Sequence, residues 1–513
     1  MAARLHPLKP DAGGLVAGVL AALILGTLAV VALRAGGLSR LTEWDLRAVW
    51  FTLWQAAASA TLSSIFAIPV ARALARRRFT GRRLLVLALG APFILPVIVA
   101  ILALVAVFGR RGIVNGALGA LGLPEVSIYG WQGVILAHVF FNLPLVTRLL
   151  LQGWQRIPAE RLRLAASLGF TPADSFHHLE RPMLREALPG AWLAVFMICL
   201  TSFAVALTLG GGPRATTVEL AIYQAFSFDA DLGRAASLAL VQVAISIVAL
   251  VVAGRASSAA GFGAGLDRDP AQAGPGGWRR WGDAAAIGAA AGFLLVPLGM
   301  ILTQGLPRIP ALPASVWIAA ARSLAMALTS AALTLTVALP MALALAQGGR
   351  RWIEAAGMLP LVASPLVLGT GLFLLLRRVA SPAELAIPVT VAVNAAMALP
   401  FALRALIPAG RALQADYGRL AASLGMQGAA RLRWLTLPRL AGPLGFGGGL
   451  AAALAMGDLG VIVLFGDTRT ATLPLMLYQL MGSYRLADAA GAAVLLMILS
   501  FGLFWTFDRG GRA

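Results

Sequence analysis

RLAASLG, residues Arg163 to Gly169, recurs letter for letter at Arg419 to Gly425. In a chain this rich in Ala and Leu a repeated short word carries weight only if unrelated residue types keep the same offset. They do. Pro144 and Arg148 map onto Pro400 and Arg404, and Pro182 maps onto Pro438, each proline thirteen residues beyond the glycine of its copy. The chain is an internal duplication, and its organisation follows from that pair of segments.

Both copies sit in Arg-rich stretches between apolar runs too long for soluble core helices, which places them in loops that leave a membrane. A short helix fits each. In the first copy Leu164, Leu168 and the small Ala165, Ala166 and Gly169 give an apolar, close-packing surface, while Arg161 and Arg163 stay hydrated. Ala165 and Gly169 also have the small-xxx-small spacing of a helix-packing motif within a bilayer. The flanking Arg161, Arg163, Arg181 and Arg185 argue against that alternative.

Composition agrees with a membrane body. Of 513 residues, 59% are hydrophobic and only 12% charged, outside the range of soluble domains. The formal charge of +20 is spread between apolar spans rather than gathered into a stripe with interleaved aromatics, so it does not read as a nucleic-acid surface. Lys9 is the only lysine, so the membrane body has no phosphate-reaching lysine of a P-loop. A membrane-embedded enzyme would need clustered His, Asp or Glu, and the adjacent His177 and His178 lie in an Arg-rich loop where a solvated face is expected. The single Cys199 reads as a small buried hydrophobe.

The fold class expected is all-α and polytopic, with about twelve transmembrane helices in two homologous six-helix halves. After a short polar start, Gly13 to Leu33 forms a first span retained in the mature chain, since no small-residue cleavage motif follows it. Spans follow at about 50–75, 84–108, 130–151, 188–210 and 234–253, then at about 284–304, 315–346, 352–376, 385–407, 442–466 and 488–507. Residues 1–254 form the first half, the Gly, Pro and charge-rich 255–283 a cytoplasmic linker, and 284–513 the second half. With the N-terminus inside, the termini and even loops hold 28 basic against 11 acidic residues, and the odd loops 13 against 10. Basic residues accumulate on the cytoplasmic side, so both termini and both RLAASLG copies are expected there. Arg76, Arg77, Arg78, Arg82 and Arg83 dominate one inside loop and read as a topology signal rather than as a lipid- or nucleic-acid-binding patch.

Polar residues at membrane depth are pathway candidates, because burying them in lipid is costly. His138 and Asn142 stand one turn apart on the fourth span, Asn394 is on the tenth, and Asp458 falls within the eleventh. Asn142 and His138 also suit plain interhelical bonding. A carboxylate such as Asp458 would suit a cationic cargo, or would cap a helix break beside Gly457 and Gly460. A second duplicated stretch, Gly210 to Gln224, matches Gly466 to Gln479, with Arg214, Thr217, Leu220, Tyr223 and Gln224 recurring as Arg469, Thr472, Leu475, Tyr478 and Gln479. It lies in outside loops and reads either as a turn with an aromatic belt or as a gate. Pro92, Pro96, Pro360 and Pro365 interrupt the third and ninth spans, where a bend for gating and a kink for packing remain alternatives.

Small residues followed by Gly, with a proline thirteen residues later, resemble the cytoplasmic loop of binding-protein-dependent ABC importer permeases. Family members carry EAA, three residues, Gly, and a later Leu-Pro. The resemblance implies a type I, MetI-like permease fold in which each loop, here about 156–190 and 411–443, forms a coupling helix for a separate ATPase. The implied coupling residues are Arg163, Ala165, Ala166, Gly169 and Pro182, with Arg419, Ala421, Ala422, Gly425 and Pro438. Arg163 and Arg419 depart from the pattern by standing where the family has Glu. AHVFFNLPLVTRLLLQ (Ala137 to Gln152), LGGGPRATTVELAIYQAFSFD (Leu209 to Asp229), GDLGVIVLFGD (Gly457 to Asp467) and YQLMGSYR (Tyr478 to Arg485) resemble the thiamine branch of these permeases. That likeness implies a bacterial inner-membrane permease passing thiamine, with its phosphates as a further candidate cargo. The implied partners are a periplasmic binding protein and two copies of a cytoplasmic ATPase that carries the ATP and Mg; no cofactor is expected on this chain. Asn142, Tyr223, Gln224, Asn394, Asp458, Tyr478 and Gln479 are the candidate pathway or gate residues. A ferric iron permease of the same fused architecture is the nearest rival. An ion-coupled secondary transporter is the rival from another class, and it would require paired ionisable residues at mid-bilayer.

Overall fold

The computed structural model describes residues 11–35, 41–256, 277, 279–348, 351–377, 381–465 and 470–512. Most of the linker expected at 255–283, and Arg469, lie outside the described residues. Every regular element among the described residues is a helix. In the first half these are α1 (Asp11–Arg34), α2 (Glu43–Arg76), α3 (Val97–Phe108), α4 (Trp131–Gln155), α5 (Ala159–Ser167), α6 (Arg181–Leu200), α7 (Val218–Ser227) and α8 (Leu232–Ala256). The second half contains α9 (Arg279–Gly305), α10 (Ala314–Ala346), α11 (Arg351–Met358), α12 (Pro365–Leu376), α13 (Pro382–Ser423), α14 (Leu437–Met456), α15 (Leu473–Gly482) and α16 (Leu486–Arg512).

Ten described helical segments are long and apolar enough to cross a membrane, and α11 with α12, bent by 94°, make an eleventh if counted as one span. The remaining expected span corresponds to α14, which is not among them because Gly442, Gly445, Gly447, Gly448 and Gly449 dilute its apolar character. Those glycines serve packing instead. A Cβ at Gly449 would stand 3.0 Å from the Phe504 carbonyl on α16, and one at Gly447 would stand 3.5 Å from Ala402 on α13. Small residues let helix backbones approach where no water drives them together.

The prolines break their spans rather than bend them. Pro96 is the N-cap residue of α3 after a turn of 3-10 helix, and Ser364 caps α12 with Pro365 in its first turn. A proline lacks the N–H that an interior position needs, but the first turn of a helix has no use for it. The second half likewise ends α14 at Met456, so that Asp458 lies beyond the helix in a break before a short turn at Ile462–Phe465.

The duplication is visible in the fold down to its irregularities. A five-residue π-helical turn occupies Phe176–Glu180 in one half and Leu432–Thr436 in the other, and each leads into a twenty-residue helix with proline at its start. The halves exchange their first helices. α1 packs on α10, α11 and α12 of the second half, and α9 packs on α2 and α3 of the first. Each also touches the last helix of its own half, α1 on α8 and α9 on α16. The α1 contact with α12 is close enough that a side chain at Gly371 would run into Thr27.

Candidate functional site

The RLAASLG copies are helix ends. In the first, the Gly169 N–H donates to the Ala166 carbonyl (3.1 Å) and the Phe170 N–H to the Ala165 carbonyl (3.0 Å). In the second, Gly425 and Met426 repeat this toward Ala422 (3.1 Å) and Ala421 (2.9 Å). This pair of hydrogen bonds closes a helix only if the residue after its end turns left-handed, and Gly169 and Gly425 have φ of +68° and +63°. Ala165 and Ala421 face inward, while Ala166, Ala422, Pro182 and Pro438 are exposed. Leu164 and Leu168 stand 59% and 64% exposed, and Leu420 and Leu424 54% and 67%, so each copy presents a pair of apolar side chains one turn apart with nothing on them. Arg163 pairs with the exposed Glu160 at 3.2 Å, and Arg419 is exposed.

Both copies lie on one face. Arg77 at the end of α2 pairs with Asp283 at the start of α9 (2.6 Å), which sets the start of α9 beside the first copy. α9 then crosses until Gly305 meets Ala490 at the start of α16, and α16 returns until Gly511 meets Ala441 and Gly445 at the start of α14, beside the second copy. Two antiparallel crossings bring the chain back to its starting face.

The two copies are fastened differently. In the first half α5 is separate from α4, because Pro158 sits between them as the N-cap residue of α5. Gln414 holds the corresponding place in the second half, and α13 runs unbroken through the tenth span and into the repeat as far as Ser423. The loop following α5 is tied to α2 by Glu180, which is buried, accepts from Arg72 Nε at 2.8 Å and also pairs with Arg76. Thr436 replaces Glu180 in the second half, and Leu343 and Gln347 replace the arginines; the link there is a neutral-acceptor bond from Arg431 to Gln414 (2.7 Å). Matching cavities sit beneath the two loops, one of about 410 Å³ bordered by Arg72, Arg76 and Phe176, the other of about 80 Å³ bordered by Leu343, Gln347 and Leu432.

Away from this face the second duplicated stretch forms α7 and α15, and both are packed inward. The Val218 N–H donates to Thr52 of α2 (2.9 Å), and the Leu473 N–H donates to Ser323 of α10 (2.7 Å). From there each short helix reaches the opposite half, α7 against α12 and α15 against α3. Tyr223 and Tyr478 are partly buried and within electrostatic reach of one another, Gln224 is exposed and Gln479 partly buried. Phe226 of α7 meets Phe373 of α12 edge to face, with centroids 4.6 Å apart.

The membrane-depth candidates separate into two places. Asn142 is buried inside the first half, donating to the His138 carbonyl (2.8 Å) and to Cys199 Sγ (3.4 Å), with Ser59 beside His138. Asn394, at the position duplicated from His138, lies instead beside Asp458. Asp458 caps the break after α14, its Oδ1 accepting the Gly460 N–H at 3.0 Å, while Oδ2 has no partner. That break abuts the first half, since a Cβ at Gly457 would stand 3.1 Å from Pro96.

Comparison with known proteins gives a consistent result. The chain is 40% identical over 531 aligned positions to a thiamine transport system permease protein of Brucella abortus, covering 98% of this chain and 96% of the relative. It is 39% identical to the thiamine transport system permease protein of Escherichia coli, covering 99% and 98%. The chain belongs to the thiamine transport system permease family. A molybdenum transport system permease protein of Mycobacterium bovis is 32% identical over 195 positions, 38% of this chain and 73% of that protein. No protein-family model matches the chain.

In this permease the sequence reading passed over the buried acids Asp45 and Glu180, which meet arginines, and Glu219, which does not. Glu219, in the first turn of α7, is fully buried, and its place in the other half is taken by Pro474. An acid two residues after a capping threonine is an ordinary helix start, so nothing local marked it. The packing of α7 on α2 and α8 of its own half and on α12 of the other sets its depth.

Proposed function

We propose that this chain is the membrane-spanning permease of an ATP-driven ABC importer and that its cargo is thiamine. The relatives that match it from end to end carry thiamine transport in their names, and the multi-pass helical fold accords with them. The carrying observation for the energy source is the pair of glycine-ended helices on one face, each holding two exposed leucines. An apolar pair of this kind on a polar loop is an anchor awaiting a groove. Two copies of a cytoplasmic ATPase dock there, holding the ATP and Mg. Arg163 and Arg419 require that the groove opposite them be acidic or neutral rather than basic. The chain adds no hydrolysis of its own.

The excess of basic residues around the repeats supports placing that face, with both termini, in the cytoplasm of a bacterial cell, the body lying in the inner membrane. A periplasmic binding protein delivers cargo to the other face. Closure of the ATPase pair moves both anchors together, and the halves rock about the seam made by α7 on α12 and α15 on α3. Labelled thiamine uptake into proteoliposomes tests this. Uptake should require the ATPase, ATP and a binding protein; uptake without the ATPase, or labelling of positions 163 and 419 from opposite sides, overturns it.

A further inference from the structure

The larger of the two loop cavities, about 410 Å³, is lined with arginine and shared by the halves. Arg72 and Arg76 border it from the end of α2, Phe176 from the loop after α5, and Arg279 with Asp283 from the start of α9. Arg76 ends one membrane-crossing segment and Arg279 begins another, so the cavity lies at the depth where the chain leaves the hydrocarbon. Phe79 and Trp281, exposed in the same two stretches, are rings of the kind that settle at a headgroup boundary.

The charges here do not cancel. A single carboxylate, Glu180, serves both arginines of α2, taking Arg72 Nε and one Nη of Arg76. Among the described residues no acceptor meets the two Nη groups of Arg72, whose guanidinium lies over Phe176, 5.2 Å from the ring centroid. Asp283 is engaged by Arg77 (2.6 Å), and Asp174 on the nearby loop is turned back onto the Thr171 N–H (2.9 Å). Four arginines, Arg72, Arg76, Arg77 and Arg279, therefore stand against the two carboxylates Glu180 and Asp283. Like charges gathered around an open space repel unless an anion lies among them.

The other half shows that the fold does not demand this arrangement. There Leu343 and Gln347 stand for Arg72 and Arg76, the space shrinks to about 80 Å³, and Arg431 on Gln414 holds the loop with no carboxylate. Guanidinium forks match phosphate oxygens, and basic pockets between helices on the inner side of a membrane suit lipid headgroups. We propose that Arg72, Arg76 and Arg279 bind a phosphoester anion that bridges α2, the loop after α5 and α9. Arg76, which the sequence offers as part of a topology signal, thus faces a site. A headgroup of the inner leaflet and a soluble phosphate compound present the same chemistry. The bound anion clamps the first loop to both halves, a restraint that the second loop lacks.

The test follows melting of the full-length permease, stripped of anionic lipid in a neutral detergent at constant ionic strength. Dioleoylphosphatidylglycerol, dioleoylphosphatidylcholine and inorganic pyrophosphate are titrated in turn. The phosphatidylglycerol should stabilise at concentrations at least about fivefold below the phosphatidylcholine, and Arg72→Gln and Arg279→Gln should each raise the amount needed about fivefold. Arg279→Lys should raise it less, and Arg185→Gln, which removes an exposed arginine of α6 outside the cavity, should leave it unchanged. Stabilisation by phosphatidylglycerol that both glutamine variants weaken assigns a headgroup; the same pattern with pyrophosphate assigns a soluble phosphate compound. Either supports the site. It is overturned if neither anion acts better than phosphatidylcholine, if Arg279→Gln leaves both anions as effective as before, or if Arg185→Gln weakens them equally. Should Arg72→Gln, which also loses a bond to Glu180, fail to fold, the two Arg279 variants decide. Melting requires no transport, so this outcome is independent of the import reading.

Discussion

Glu180 is the residue through which the loop after α5 holds α2, and if that loop couples to an ATPase as proposed, replacing it by Gln should separate ATP hydrolysis from transport. The carboxylate is 5% exposed and bonds Arg72 Nε at 2.8 Å as well as Arg76, whose side chains are 32% and 16% exposed. Removing one partner of a buried ion pair costs about 3–5 kcal/mol, because the other charge stays behind without compensation. Here both arginines retain some contact with water, which reduces the loss to about 2–3 kcal/mol. The permease purified with its ATPase should therefore melt at a lower temperature in Glu180→Gln. In proteoliposomes it should hydrolyse ATP while importing less thiamine per ATP. Thr436→Val, the corresponding change in the other half, removes no ion pair and should alter stability by less than about 1 kcal/mol. Adding Arg76→Gln to Glu180→Gln should recover part of the stability, since it removes one of the two stranded charges, but none of the coupling. Unchanged melting and coupling in Glu180→Gln, or an equal loss in Thr436→Val, would refute the reasoning.

Gly169→Ala and Gly425→Ala meet open space but force a side chain into a left-handed backbone, a strain of about 1–2 kcal/mol confined to a helix end; membrane yield should hold while the co-purified ATPase declines. Gly371→Val should overpack α12 on α1 by about 1–3 kcal/mol and lower the yield of folded chain. Thr27→Ala should restore only part of it, because the Thr27 carbonyl is also in the way. Phe226→Cys with Phe373→Cys should be bridged by a short reducible bis-methanethiosulfonate linker, since ring contact alone does not set disulfide geometry, and the bridge should stop uptake, with recovery on reduction; undiminished uptake by the linked form would show that this seam does not open.

Much of this architecture was legible because a duplication is a statement about sequence alone. The offset of RLAASLG, and of the prolines after it, identified two related halves and located the helix ends that the glycines close. Apolar length located the spans but not all their bounds. The third runs over Val97–Ala120 rather than about 84–108 and the fifth over Pro172–Leu200 rather than about 188–210, because Pro96 and the break after Leu200 reset them. The glycines of α14 trade hydropathy for close approach to α10, α13 and α16. The exchange of α1 and α9 was not legible, since a lipid-facing surface and a helix-facing surface are equally apolar and leave no periodic mark. α13 continues where Gln414 stands in place of Pro158, although it carries Pro388, Pro400 and Pro408 within it. Candidates at membrane depth divided for a similar reason: His138 and Asn394 occupy one duplicated position, yet one neighbours Ser59 and the other Asp458. Sequence spacing cannot say which wall of a half a side chain meets.

The crossed seating of α1 and α9 has a consequence for synthesis. α1 is made first, but α10, α11 and α12, against which it rests, are made some 300 residues later. Until then it waits in lipid without its main neighbours, and α2 and α3 likewise wait for α9. A gene divided between α8 and α9 would yield two products, neither able to complete its own interior. Fusion into one polypeptide fixes their ratio at one to one and makes assembly a first-order event, independent of how many copies the membrane holds.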